Sequence, residues 1–330
     1  MTPRQVITAN IEGSRPPRIG YAFGGSPGRQ NDLAWAGCDH GIATRRWETG
    51  DFEFYTDIWG NEWFRVKGLS QGGEIHRPLI ADWAALDQLA LPDLANAEHF
   101  AAARQLGQSD TDLFRVGSLP GWPFAICRYL RKMEVYFIDL LTEPERIAIL
   151  HDRVTTLLEG VIDRFGEAGL DGVFFCEDLG TQDRLLMSPD LWRRVFRPLY
   201  ERLTQRAHSH GLKVIQHSCG YNWELIDDLC EAGIDCLQFD QPAVYDMPAL
   251  AAKLQRHGVG LYSPCDIQQV LPTGDRRFIE QQTEQLVATF RHGFIATRYG
   301  DLHGIGVQPE WDQWAYDAFA RVGGLTVEPA

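Results

Sequence analysis

The sequence predicts an α/β fold of the (β/α)8 TIM-barrel type, carrying a small N-terminal antiparallel cap. Three observations predict it. Five helix-like stretches end in a glycine followed at once by an apolar run, at Gly169, Gly211, Gly233, Gly258 and Gly293. Two of these junctions, Glu167–Phe175 and Glu231–Phe239, share the pattern E-A-G-(L/I)-D-x-(V/L)-x-F. The stretch Asp51–Glu74 is different: aromatic, glycine-punctuated and partly alternating, as a β-hairpin is. Glycine just past a helix supplies a left-handed turn that other residues enter at a cost. Short strands alternating with helices assemble into a parallel sheet. At 330 residues the length suits one large barrel or two ordinary domains. No Gly/Ser/Pro linker divides the chain, so residues 1–330 are read as one barrel domain with the cap, about residues 45–80, inside it.

In chain order, Ile19–Phe23 is the expected first strand, and the cap follows. Thr142 and Glu145 have the spacing of a capping box around Pro144. Behind them Ile147, Leu150, Val154, Leu157, Leu158, Val161 and Phe165 recur at helical spacing. Ser188-Pro189-Asp190 opens another helix, with Trp192, Val195, Phe196, Leu199 and Leu203 on one face and a kink expected at Pro198. Asn222 is expected to cap a short helix through Cys230, and Asp275 one running to about His292.

Composition narrows the function classes. Thirty-one basic residues against forty-five acidic ones leave a net charge of −14, which disfavours nucleic acid and anionic membranes as partners. Seven scattered cysteines contain no C-x-x-C pair, so neither a zinc ribbon nor a thioredoxin-like pair is expected. Scattered thiols fit a reducing compartment. The N-terminus lacks the apolar core of a secretory signal, and no apolar run approaches a membrane span. The expectation is a soluble cytoplasmic protein acting on a small-molecule substrate.

In a barrel of this type functional residues follow the strands, on the C-terminal rim. The residues after the apolar runs are Glu177 and Asp178, His217 and Cys219, Asp240, Cys265 and Asp266, then Arg298, Asp301 and His303. His217 and Cys219 form an H-x-C pair, and imidazole and thiolate at one strand end suit zinc. The plain alternative is a buried thiol beside a histidine that caps the next helix. A catalytic zinc needs a third protein ligand: His303 is the expected one, with Cys265 or Glu177 as alternatives. Glu177 and Asp178 offer a general base or a further ligand, one of the two functional and the other structural. Asp240 is the third expected catalytic carboxylate, or else a helix cap. Tyr21, Trp59, Gln182 and Arg298 are the expected substrate-binding set; for Arg298 a plain surface role, and for Trp59 and Trp63 burial of the hairpin, are the competing readings. Gly24-Gly25-Ser26-Pro27-Gly28 lacks the order and the lysine of a phosphate-binding loop.

The run EDLGTQDRLLMSPDLWRRVFRPLYERLTQRAHSHGLKVIQHSCG, with EAGIDCLQFDQP, PCDIQQVLPTG, HGIGVQPE and the cap's TDIWGNEW, resembles the uroporphyrinogen decarboxylase superfamily. More closely it is similar to that superfamily's methyltransferase-related branch, whose zinc members move methyl groups between corrinoid proteins and thiols. The resemblance covers most of 18–320 and implies a (β/α)8 barrel. It implies zinc on His217 and Cys219, and His303 stands where that branch has its third ligand, a cysteine. The decarboxylase proper carries an arginine-rich N-terminal signature; Tyr21–Arg29 here reads YAFGGSPGR, which disfavours a porphyrin octa-acid as substrate. The function implied is a zinc-dependent methyltransferase or demethylase acting between a small methylated substrate and a corrinoid protein or thiol. A corrinoid, in this reading, would arrive on a separate partner protein. The alternatives are a metal-free decarboxylase of a smaller acid using Asp240, Arg298 and His303, or a barrel that binds a corrinoid or other ligand without turning it over. A homodimer stays open.

Overall fold

Eight short parallel strands curve into a nearly closed barrel in the computed structural model, which describes residues 1–69 and 72–325. They follow one another around it in chain order: β1 (Gly20–Ala22), β2 (Leu33–Ala36), then, past a separate sheet, β7 (Phe114–Ser118), β8 (Gly172–Cys176), β9 (Lys213–His217), β10 (Cys236–Gln238), β11 (Gly260–Ser263) and β12 (Phe294–Thr297), which pairs back with β1. The separate sheet is antiparallel: β3 (Arg46–Thr49), β4 (Phe52–Thr56), β5 (Glu62–Val66) and β6 (Glu74–Arg77). The barrel and cap are thus as expected, but the cap is four strands rather than a hairpin, because β5 pairs on both edges. Its Tyr55 and Trp63 rings stack at 6.0 Å, and Trp63 meets Tyr129 edge-on at 4.8 Å, seating the cap on the barrel's helices.

Helix α1 (Pro3–Ile11) precedes the barrel, and α2 (Ala101–Gln108) joins the cap to β7. Three helices, α3 (Pro123–Arg131), α4 (Met133–Thr142) and α5 (Pro144–Glu167), lead to β8; α6 (Pro189–Val195) and α7 (Arg197–Ser209) lead to β9. Single helices α8 (Ile226–Glu231), α9 (Met247–His257) and α10 (Arg276–Thr289) connect the remaining strands, and α11 (Pro309–Val322) closes the outer layer.

Strand alternation divides the core in two. Outward residues such as Val173, Phe175, Val214 and Leu237 pack under the helices. Inward residues Leu33, Phe114, Val116, Ile215, Cys236, Tyr262 and Ile295 fill the barrel, and Ile7 and Ile11 of α1 pack with them. Helix α1 therefore stoppers the floor. Four of the five glycine junctions adopt the expected positive φ; Gly293 does not. Its smallness serves the stopper instead, since a Cβ there would lie 2.5 Å from the Asn10 carbonyl oxygen.

Ser188 and Asp275 cap α6 and α10 as expected, accepting from Leu191 N and Phe278 N. The helix after Asp275 ends at Thr289, short of His292. The chain breaks between α6 and α7 beside Pro198. The capping box does not form: Thr142 belongs to α4 and its hydroxyl donates to Ile138 O. Asn222 does not cap through its side chain either, but donates to the Cys219 and Gly220 carbonyls, and a 3-10 turn leads into α8.

Candidate metal and active site

The site is built where β8, β9 and β10 end side by side. Cys176, His217 and Gln238 are register partners across these strands, so their side chains emerge together into the mouth. Just beyond, the two following loops are fastened to each other. Gly220 has φ +81°, and a Cβ on it would lie 2.4 Å from Thr181 O and 2.5 Å from the Gly180 carbonyl. Only glycine admits that approach. Tyr221 N donates to Thr181 O at 2.7 Å, Leu179 N to Ser218 Oγ at 3.1 Å and Cys219 N to Asp178 Oδ1 at 2.8 Å. The fastening carries Asp178 up to the H-x-C pair.

Asp178, His217 and Cys219 thereby converge: one ligand-capable atom from each lies within 4.8 Å of the others. His217 Nε2 is 3.3 Å from Cys219 Sγ and 3.5 Å from Asp178 Oδ1. The other ring nitrogen, Nδ1, pairs with Gln238 Oε1, whose amide Nε2 donates to Asp240 Oδ1 at 2.6 Å. With Nδ1 engaged by Gln238, the other ring nitrogen, Nε2, is the one turned toward the thiol and carboxylate. Asp240 Oδ2 stands 3.9 Å from Nδ1.

Burial acts on all of these groups, and the neighbours decide the outcome. Burial alone would raise the Asp178 carboxyl, but His217, the Cys219 N–H and Arg128 overcome it and hold it at about 2. Burial would lower His217; bonds to Asp178 and Cys219 and the charge of Asp240 raise it instead. Burial pushes up the Cys219 thiol, against His217, and the Asp178 and Asp240 carboxylates add to the rise. Asp240 is raised by burial as well, with His217 and the Gln238 amide opposing. The mouth therefore gathers two carboxyl groups of opposite shift, Asp178 lowered and Asp240 raised, around a histidine and a thiol in contact.

The other expected residues lie elsewhere. Glu177, next to Asp178 in sequence, faces the opposite way, as alternation requires. It is fully buried, accepting from Ala125 N at 2.9 Å and the Tyr200 hydroxyl at 2.5 Å, and so caps the start of α3. Burial pushes its carboxyl to about 7. Tyr21 is buried under α11, its hydroxyl donating to Phe319 O, so it does not reach the mouth. Trp59 is packed into the outer core. Cys265 is 2% exposed in the same core, away from the converging group. His303 is exposed on its loop and is not among the residues grouped with His217 and Cys219; Asp178 is the third residue of that group. Arg298 and Gln182 are exposed on rim loops. Asp266 and Asp301 tie their own turns, accepting from Gln268 N and Gly304 N.

Four residues at the mouth escaped the sequence reading. Gln238 is the last inward position of β10, one residue before the run's end. Cys176 likewise is the last inward residue of β8, exposed and close enough to feel the charges of His217, Asp178 and Asp240. Tyr299 beyond β12 feels Asp240 and Cys219. Trp35, on the inward face of β2, is 44% exposed and packs edge-on against Phe174 at 5.4 Å. Counting back by two from Asp178 and Asp240 would have found Cys176 and Gln238.

A family model described as uroporphyrinogen decarboxylase matches residues 67–311, more than half of the chain. No curated protein sequence matches. Among solved structures, a methyltransferase from Methanosarcina mazei superposes with a TM-score of 0.63 at 15% identity, covering 80% of this chain and 76% of that one. An intracellular xylanase from Thermoanaerobacterium saccharolyticum gives a TM-score of 0.36 at 15% identity, covering 57% and 66%. At 15% identity the likeness to the methyltransferase speaks of the fold alone.

Proposed function

Because the chain belongs to the uroporphyrinogen decarboxylase family, we propose that its barrel mouth is a zinc-dependent methyl-transfer site rather than a porphyrin decarboxylation site. The observation that carries this reading is the convergence of Asp178, His217 and Cys219, an O, N, S donor set of the kind zinc takes. The set fits further because Gln238 fixes the imidazole with Nε2 turned toward the other two donors. His217 would hold the ion through Nε2, Cys219 through Sγ and Asp178 through its carboxylate. When bound, zinc supplies Lewis acidity and lowers the pKa of a coordinated thiol, alcohol or water.

The remaining residues handle the proton and the substrate. In the transfer the methyl carbon leaves a donor oxygen, nitrogen or sulfur for the acceptor, and the leaving atom takes up a proton. Asp240, 7% exposed and raised by burial, is placed to give it. Trp35 and Phe174 offer an aromatic floor for a small methylated substrate. The acceptor in this reading is a thiol or a corrinoid carried on a separate protein. A metal-free decarboxylation, with Asp240 protonating the carbon that loses CO2, is the second reading, favoured by the same raised carboxyl.

Metal content separates the two. Zinc measured in protein purified without chelator is expected near one equivalent per chain, and near none in H217A and C219A. Zinc-loaded protein should methylate free cob(I)alamin from at least one of methanol, methylamine or a methoxy-aromatic, seen by its absorbance change. Wild-type zinc binding in a folded H217A/C219A double variant, or no zinc uptake by the intact chain, overturns the reading.

A further inference from the structure

Between the cap and α3 lies a cavity of about 200 Å3, walled by Trp63, Ile75, Arg128, Tyr129, Lys132 and Met133. Arg128 is the buried charge of this wall, 7% exposed. A guanidinium carries five N–H donors and keeps its charge. This one is thinly matched. Nη2 donates to the Tyr129 hydroxyl at 3.2 Å, Nη1 meets the Met133 sulfur at 4.0 Å, and Nε has no partner. Asp178 Oδ2 makes a long ion pair with Nη2 at 3.9 Å, while its Oδ1 accepts from Cys219 N. Phe124 and Tyr129 hold the guanidinium carbon 5.0 Å from each ring centre, leaving the in-plane N–H groups as what it can offer.

Arg131, three residues on and equally buried, shows what full matching looks like. Its Nε donates to Asp139 at 2.7 Å and its Nη1 to the Ile80 and Ala81 carbonyls at 3.0 and 2.7 Å. Buried cations are stable when an anion or a full set of acceptors faces them. Arg128 has neither. One turn further, Lys132 joins α3 to α4 with φ +67° and ψ 132°. Strain of this kind in a non-glycine residue collects where a ligand is held. The cavity's acidic groups, Glu74 and Glu134, are exposed, and Glu134 already pairs with Lys132 at 3.5 Å. In a chain of net charge −14, an anion reaching this region needs such a local cation.

We propose that Arg128 and Lys132 form a carboxylate-binding subsite beneath the cap, whose ligand is a small carboxylic acid with a flat apolar body lying against Trp63 and Tyr129. Arg128 stands between this cavity and Asp178, so on the methyl-transfer reading, on which this point rests, the subsite selects acids among methylated substrates. The planar fork of Arg128 suits a carboxylate held by two parallel bonds.

The test uses the full chain, stripped of metal by chelator and titrated with benzoate and with benzamide, its neutral analogue of the same shape. Benzoate is expected to bind at least tenfold more tightly. R128K should weaken benzoate tenfold or more and leave benzamide unchanged; K132M should weaken it severalfold. Circular dichroism and thermal melts establish that the variants fold, and if R128K does not, K132M, at a half-exposed position, carries the test. Equal binding of benzoate and benzamide overturns the proposal, as does unchanged benzoate affinity in the folded variants. Inorganic phosphate displacing benzoate at equal concentration overturns the carboxylate assignment. Zinc binding measured in parallel keeps the readings apart: zinc without benzoate sinks only the subsite, and benzoate without zinc sinks only the metal centre.

Discussion

Glu177 and Asp178 show how far one step along a strand end can move a side chain's role. Asp178 enters the mouth ionised; Glu177 turns beneath the helices, where burial pushes its carboxyl to about 7 from an ordinary 4.5. Its raised pKa fixes the direction of a pH effect. Below pH 4.5 both folded and unfolded chains hold the proton, and the group's contribution is fully present. Between pH 4.5 and 7 the unfolded chain releases it while the folded chain keeps it, so about 3 kcal/mol of stability is lost as pH rises. Glu177→Gln keeps partners for Ala125 N and the Tyr200 hydroxyl without that titration. Urea unfolding at pH 5 and pH 7.5 should show the variant gaining on the wild type as pH rises. A difference that stays constant across the window would mean that Glu177 is ionised throughout.

At the scale of elements, the loops after β8 and β9 are one device, held by the contact at Gly220. Gly220→Ala forces a Cβ to within 2.4 Å of Thr181 O and an L-residue into φ +81°. The variant should lose roughly 1–2 kcal/mol from the backbone conformation alone. Zinc affinity should fall about 10- to 100-fold as Asp178 is levered from Cys219. Native affinity in G220A would show that the fastening does not place the ligands. This contact also marks where the sequence stops being readable. Strand ends, the caps at Ser188 and Asp275, and the H-x-C pair are legible because their signals are local: a glycine, a Ser-Pro-Asp, a spacing of two. The third member of the converging group is not, because Asp178 and His303 sit equally well at rim positions on paper. What selects Asp178 is a backbone contact between residues 180 and 220 that no periodicity reports. Tyr21 was misplaced for a related reason: on a three-residue strand, alternation gives two faces but does not say which is inward. The four-stranded cap was under-read because β3 and β6 are short, mostly exposed and carry little apolar pattern.

For the whole molecule, a metal that grips three residues on two strand-end loops should stabilise the fold as well as the site. Zinc at a thousandfold excess over its dissociation constant adds about 4 kcal/mol by mass action. A thermal melt should therefore rise by several degrees with zinc and fall back with chelator, while the H217A/C219A double variant melts at one temperature in both. An equal rise in that variant would place the zinc elsewhere. No helix among the described residues is long and apolar enough to cross a membrane. The stopper has a consequence in time. Asn10 Oδ1 accepts from Phe294 N, 284 residues away, and Ile7 and Ile11 rest on side chains of strands as late as β12. A ribosome adding ~5–20 residues per second would leave this greasy helix without a seat for roughly 15–60 s. A helix made before its barrel is put away only after most of that barrel exists, and through that interval its apolar face lies open to a neighbour's.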